Sequence, residues 1–295
     1  MPSSLALDSR VLAAVEDLPL LATTIVEGFL DGLHRSPFLG YSTEFSAYRP
    51  YTQGDNLRHL DWKVWARTDA LYIKQFEDDT NLRCQIYLDT SASMDFGADG
   101  ANKYRYGRLL AASLAQLMVK QRDAPGLILF GAESRQAIPA QATRHQAFEI
   151  FSLLAQTPAA GGTKIGQDLI HLVQTFTRRG LAVVISDFFT EDDTVLELLR
   201  QLHAQRQEIL VLQLLCPEEL DLPFEGEFIV EDSEASGEVV VQMDEFRSEY
   251  RRRLESFCEG IRKECIRLEA DYLRLRTDQP LDVALIAYLE RRMSV

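Results

Sequence analysis

The sequence has few of the features that mark secreted, membrane or nucleic-acid-binding proteins. Its four cysteines form no CxxC pair, and it has no run of the roughly 18 uncharged apolar residues that span a bilayer. Its first residues lack the basic and apolar regions of a secretion signal. The net charge of −14 argues against non-specific binding to nucleic acid or anionic lipid. We therefore expect a cytoplasmic protein with reduced, buried cysteines.

The pattern from residue 82 onward predicts an α/β fold. Short, uniformly apolar segments that suit buried strands alternate with amphipathic segments that suit helices. This alternation is typical of a mostly parallel, Rossmann-like sheet covered by helices on both faces. The predicted strands are 82–89, 124–131, 135–140, 181–187 and 208–215, with 124–140 as a hairpin that makes the sheet mixed. The predicted helices are 103–121, 143–156, 164–178 and 192–205.

Two flanking regions have a different character, so the sequence predicts three parts: 1–80, 81–217 and 218–295. The first begins with apolar positions at helical spacing over 7–34, in one or two helices because Pro19 interrupts the pattern. An aromatic, turn-rich and mostly extended stretch follows. The last part predicts a short β-hairpin and then one long helix over about 244–274. We expect the apolar stripe of this helix to pack on the rest of the molecule, with a coiled-coil partner as the alternative.

The segment "IYLDTSASMDFG" places oxygen-bearing side chains where the first predicted strand of the sheet ends. Asp89, Ser91 and Ser93 are spaced two apart, and in a loop that leaves a strand such residues can converge on one point. Ligands of parallel α/β sheets bind at the carboxyl ends of the strands. Oxygen donors with little net charge suit Mg²⁺.

Two other segments offer similar groups after predicted loops or strands. Thr163 in "GGTKIG" precedes a predicted helix, and Asp187 in "ISDFF" ends the fourth predicted strand as Asp89 ends the first. Together the segments supply two carboxylates and three hydroxyls. The sequence therefore predicts a Mg²⁺ or Mn²⁺ site, with helix caps and turns as the alternative role for these side chains.

The order of these residues resembles the metal-ion-dependent adhesion site of von Willebrand factor type A domains. In that resemblance, the five metal-site positions are taken by Asp89, Ser91, Ser93, Thr163 and Asp187. The upstream stretch "RPYTQGDNLRHLDWKVWARTDALYIKQFE" is similar to the signature of a bacterial family called domain of unknown function 58. The matching residues are Arg49, Tyr51, Gly54, Asp55, Arg58, Asp61, Trp62, Ala66 and Arg67.

The resemblance implies a non-enzymatic module that binds other proteins. Type A domains with an intact site leave one metal position open for a carboxylate of the partner. Members of the bacterial family are found beside MoxR-type AAA+ ATPases, which implies an adaptor or co-chaperone role in assembling or activating other complexes. Many relatives carry membrane spans ahead of the signature, and this sequence shows none there. For the charged signature residues, we favour a structural ion-pair network over direct contact with a partner.

One enzymatic alternative stays open, a haloacid-dehalogenase-like Mg²⁺-dependent phosphatase with Asp89 as the nucleophile. Thr163, Lys164 and the acidic segment after Asp187 can be placed on that plan. That chemistry uses a second Asp two residues after the nucleophile as general acid, and Ser91 occupies this position. A serine hydrolase is disfavoured because neither serine lies in a GxSxG motif and the five histidines are scattered.

Overall fold

A six-stranded sheet organises the part of the chain that the structure, a computed structural model, describes. In order across the sheet, its strands are β10 (Asp271–Arg276), β7 (Glu208–Leu215), β6 (Leu181–Ser186), β3 (Arg83–Asp89), β4 (Ala124–Phe130) and β5 (Gln136–Ile138). Every neighbouring pair is parallel except β4 with β5. This confirms the predicted α/β class with a mostly parallel, mixed sheet. The described residues are 17–35, 47–50, 72–75, 82–98, 101–131, 136–159, 179–190, 193–223, 227–231 and 238–294.

The structure has strands at all five segments that the sequence predicts. Four of them are parallel in the sheet, and β5 is the antiparallel partner of β4. Strands β4 and β6 are buried along their whole length, as expected for strands with both faces covered.

Helices follow most of these strands and cover the sheet. They are α1 (Leu18–Arg35), α2 (Lys103–Lys120), α3 (Gln146–Gln156), α4 (Thr194–Ala204), α5 (Pro217–Asp221), α6 (Met243–Arg267) and α7 (Asp282–Ser294). The predicted helix over 164–178 lies outside the described residues. Within the described part of the chain, no helix has both the length and the apolar character that crossing a membrane requires.

Pro19 stands at the start of helix α1, where the sequence predicts an interruption of the helical pattern. It lies in the first turn, where a missing backbone N–H removes no intrahelical hydrogen bond. The backbone N–H of Leu20 donates to Asp17 Oδ1 at 3.1 Å, so Asp17 satisfies a donor at the start of this helix. The part of the predicted helical pattern that precedes residue 17 lies outside the described residues.

The prediction of one helix over 244–274 is wrong at its C-terminal end. Helix α6 ends at Arg267, Glu269 adopts a positive φ of 53°, and the chain then forms β10 parallel to β7. Leu273 and Leu275 alternate with Arg274 and Arg276, which is a strand pattern that the helical spacing of the preceding residues hid. Hydrogen bonding to β7 favours a strand over a helix in this short segment, because the segment then continues the sheet beyond β7.

The chain divides into two compact units. One comprises Met1–Phe29 and Leu82–Val295 and contains the large sheet; the other comprises Leu30–Asn81. In the second unit, β1 (Ala47–Pro50) and β2 (Tyr72–Gln75) pair antiparallel. The predicted C-terminal hairpin is present as β8 (Glu227–Glu231) and β9 (Glu238–Gln242), which also pair antiparallel.

Candidate metal centre

The structure brings Asp89 and Asp187 to the same edge of the sheet. Asp89 is the last residue of β3, Asp187 follows the last residue of β6, and these strands are parallel neighbours with Leu88 opposite Ile185. Both carboxylates are fully buried. The shared edge follows from the parallel register, because the carboxyl ends of parallel strands meet on one side of a sheet.

Both oxygens of Asp89 accept hydrogen bonds. The backbone N–H of Ser91 donates to Oδ1 at 2.9 Å, and the Ser186 hydroxyl donates to Oδ2 at 2.6 Å. Burial, followed by the negative charge of Asp187, raises the pKa of Asp89 to about 7 despite these hydrogen bonds. The pair of carboxyl groups therefore favours a nearby positive charge.

The two serines connect this loop to Asp187. A 3-10 turn over Ala92–Met94 bends the chain after Ser91, and the Met94 N–H donates to the Ser91 carbonyl at 3.1 Å. The Ser91 and Ser93 hydroxyls then lie 3.0 Å apart, and the Ser93 hydroxyl donates to Asp187 Oδ1 at 3.3 Å. The predicted convergence of these side chains is thus present in the structure.

Lys103, which the sequence reasoning missed, is part of the same cluster. Its ammonium donates to Asp187 Oδ2 at 2.7 Å and to Glu219 Oε1 at 2.5 Å, and the side chain is 1% exposed. Burial alone lowers the pKa of Lys103, but the charges of Asp187 and Glu219 outweigh it and raise the pKa. A signal was available: a lysine in the first turn of a helix opposes the helix dipole, so another interaction must favour it.

Ser186 is a second residue that sequence reasoning missed. Its hydroxyl donates to Asp89 and also accepts from the Phe188 N–H at 2.9 Å. Phe188 has a positive φ of 65°, an unusual conformation for a residue with a side chain. The sequence did contain a signal for Ser186, because it is the only polar residue of the otherwise apolar strand "LAVVIS". Ser186 thus fixes both the Asp89 carboxylate and the turn that carries Asp187.

Groups on β7, β10 and α5 hold the periphery of this cluster. Gln213 donates from Nε2 to the Asp187 carbonyl at 3.1 Å and accepts from the Tyr272 hydroxyl at 2.5 Å. Glu219 Oε2 accepts from the backbone N–H of Cys216 at 2.9 Å, which orients its other oxygen toward Lys103. Tyr272 belongs to β10, so the unpredicted strand also supports the site.

Several predicted residues cannot be placed. Thr163 lies outside the described residues, as do all the signature residues from Tyr51 to Arg67. These signature residues are Tyr51, Gly54, Asp55, Arg58, Asp61, Trp62, Ala66 and Arg67. Of Arg49 only the backbone, in β1, is described.

The donors that the structure brings together fit a small, hard divalent cation. Asp89, Ser91, Ser93 and Asp187 offer two carboxylates and two hydroxyls, which is the oxygen chemistry that Mg²⁺ and Mn²⁺ prefer. In the described ranges, no group of three or more His, Cys, Asp and Glu side chains is arranged to hold a metal. A cation at this edge would therefore depend on the serine hydroxyls together with the two aspartates.

Comparisons with known proteins give a family and several relatives of unknown role. A family model described as "Protein of unknown function DUF58" matches residues 47–257, more than half of the chain. An uncharacterized protein of Mycobacterium tuberculosis is 26% identical over 289 residues, covering 97% of this chain and 90% of the relative. An uncharacterized protein of Mycobacterium bovis matches with the same identity and coverage.

Two solved structures resemble the fold. The conserved hypothetical protein BatB from Bacteroides thetaiotaomicron has 14% sequence identity and a TM-score of 0.46, covering 72% of this chain and all of that one. A von Willebrand factor type A protein from Catenulispora acidiphila has 12% identity and a TM-score of 0.33, covering 49% of this chain and 34% of that one.

Proposed function

The chain belongs to the DUF58 family, and we propose that it is a non-enzymatic module that binds a partner protein through a divalent metal ion. The observation that carries the proposal is the convergence of Asp89, Ser91, Ser93 and Asp187 at one edge of the sheet. Thr163 is the fifth metal-site residue that we propose, from the sequence pattern alone.

The electrostatics of the cluster support a cation. Two carboxylates buried side by side repel each other, and this repulsion adds to burial in raising the pKa of Asp89. A divalent ion compensates such a pair and would favour the ionised form of Asp89 at neutral pH. The fixed hydrogen bonds of Asp89 to Ser91 and Ser186 hold its oxygens in place before any ion binds.

The proposed binding step uses one coordination position of Mg²⁺ or Mn²⁺ for a carboxylate of the partner. The aspartates and serines orient the ion, and the exposed ring of Phe96 lies beside the cluster, 5.7 Å from the Lys103 ammonium. As the partner we propose a MoxR-type AAA+ ATPase, with this chain acting as an adaptor or co-chaperone in the cytoplasm. The support for that partner is the family resemblance of the signature segment.

The phosphatase alternative is less well supported by the geometry. Ser91 occupies the place of the expected general acid, and its hydroxyl contacts the Ser93 hydroxyl at 3.0 Å.

The proposal is tested by titrating the purified protein with MnCl₂ and MgCl₂ in a calorimeter. We expect saturable binding by the wild type and its loss in Asp89→Ala. The matched control is Asp193→Ala, because Asp193 is exposed and its side chain makes no capping hydrogen bond. Wild-type protein that binds neither ion would overturn the proposed site.

The partner is tested separately with an immobilised sample of the protein and a purified MoxR-type ATPase. We expect capture in Mg²⁺ and release in EDTA, and no capture by Asp89→Ala. Equal capture in EDTA would contradict the metal-dependent mode of binding. Hydrolysis of p-nitrophenyl phosphate by the wild type, lost in Asp89→Asn, would favour the phosphatase instead.

A further inference from the structure

The strongest unexplained feature of the site is the buried ammonium of Lys103. It lies between two carboxylates, 2.7 Å from Asp187 Oδ2 and 2.5 Å from Glu219 Oε1, and Asp187 is one of the proposed metal ligands. A buried lysine is unusual unless it is paired, and here both partners are themselves buried. Lys103 therefore already supplies part of the positive charge that the two aspartates favour.

The hydrogen bonds of Asp187 show that this lysine and a metal ion would share one carboxylate. Oδ1 of Asp187 accepts from the Phe189 N–H at 2.9 Å and from the Ser93 hydroxyl at 3.3 Å, and Oδ2 accepts from Lys103. A carboxylate has about four acceptor positions, so three are engaged by this chain. A dication that binds Asp187 would lie close to the ammonium, and like charges at such range repel each other.

Glu219 gives the ammonium a second partner that lies away from the proposed donors. Its orientation is fixed by the Cys216 N–H, and it follows β7, two strands from Asp89 in the sheet. The rings of Phe96 and Phe189 also lie within 5.7 and 5.0 Å of the Lys103 ammonium. If Asp187 binds a metal ion instead, the Lys103 ammonium therefore keeps its contacts with Glu219 and the two aromatic rings.

We propose that Lys103 competes with the metal ion for Asp187 and thereby sets how tightly the site binds divalent cations. This inference rests on the proposed function, since it concerns the affinity of the same site. Removing the ammonium is expected to strengthen metal binding, because Asp187 is then free to coordinate. A purely structural role for Lys103 gives the opposite result, since loss of the contact would disorder the site and weaken binding.

The first test is the variant Lys103→Met, which keeps an unbranched side chain only one atom shorter and removes its charge. We expect it to bind Mn²⁺ about tenfold more tightly than the wild type, because the variant removes the repulsion between the ammonium and the dication. The matched control is Lys120→Met, at the other end of the same helix, where the lysine pairs with Glu27 at the surface. Its Mn²⁺ affinity should equal that of the wild type.

A charge-balanced double variant separates competition for Asp187 from a general effect of net charge. Lys103→Met with Glu219→Gln removes one positive and one negative charge, so the net charge of the cluster is unchanged. If Lys103 competes directly, the double variant still binds Mn²⁺ more tightly than the wild type. Equal affinity of the double variant and the wild type would refute direct competition.

The remaining outcomes are also decisive. Wild-type binding with unchanged or weaker affinity in Lys103→Met overturns this inference and leaves the proposed function intact. Absence of binding in the wild type, by contrast, removes the proposed function itself. If Lys103→Met does not fold without metal, saturating Mn²⁺ should restore its cooperative unfolding transition, because the bound ion replaces the lost charge. Failure of Mn²⁺ to do so, in both the single and the double variant, refutes the inference.

Discussion

Replacing Asp89 with Asn should stabilise the metal-free protein, and more so at higher pH. The pKa of Asp89 is raised from 3.8 to about 7, first by burial and then by the charge of Asp187. The folded state therefore holds this proton over a range in which the unfolded chain has lost it. The contribution of Asp89 to folding stability is constant below about pH 4, becomes less favourable as the pH rises toward 7, and is then constant again.

The size of this destabilisation follows from the difference between the two pKa values of Asp89, 3.8 and about 7. At about 1.4 kcal/mol per pH unit, the ionised Asp89 costs the folded state about 4 kcal/mol above pH 7. Asp89 has no exposed surface, so solvent screens little of this cost. Between about pH 5.5 and about pH 8 the cost grows by about 2 kcal/mol. An Asn side chain carries no charge at either pH and can still accept the Ser91 N–H.

The assay is urea-induced unfolding in EDTA, of the wild type and Asp89→Asn, at these two pH values. The lower value lies above the pI of about 4.9, so the chain keeps its negative charge. We expect the variant's advantage in unfolding free energy to increase by about 2 kcal/mol from the lower to the higher pH. The control variant is Asp193→Asn, because it removes an aspartate that is exposed and lies outside the cluster. An advantage that is the same at both pH values would refute the assignment of a raised pKa to Asp89.

Two further predictions concern packing around the sheet. In Gly126→Ala, the new Cβ would lie 2.6 Å from the Ala140 backbone nitrogen, so we expect a loss of about 1–3 kcal/mol in urea unfolding. The control is Gly28→Ala, in helix α1, where nothing lies within 4 Å of the new Cβ. It should be neutral or stabilising by up to about 1 kcal/mol. An equal loss in both variants would contradict the steric reasoning. In Tyr288→Phe, the buried Asp123 carboxylate loses a hydroxyl donor at 2.9 Å, and we expect a loss of about 1.5–3 kcal/mol of unfolding free energy. A melting temperature equal to that of the wild type would show that this hydrogen bond contributes nothing.

The sequence by itself determined the class of fold and two of the site's carboxylates. Uniformly apolar strands such as β4 and β6 can be buried only in a sheet covered on both faces, and helices between them require parallel neighbours. Once the strands are parallel, residues that end them share an edge. Asp89 and Asp187 could therefore be paired from their positions alone, as could the serines that follow Asp89.

Only the tertiary structure decided which groups surround those carboxylates. Lys103 contacts residues that are 84 and 116 positions away along the chain, and a pair at such distance leaves no periodic signal in the sequence. The segment 271–276 became a strand because β7 offered it a partner, although its apolar spacing also continued that of helix α6. Local spacing determines what a segment can form, and long-range pairing and burial decide which of those possibilities has the lower free energy.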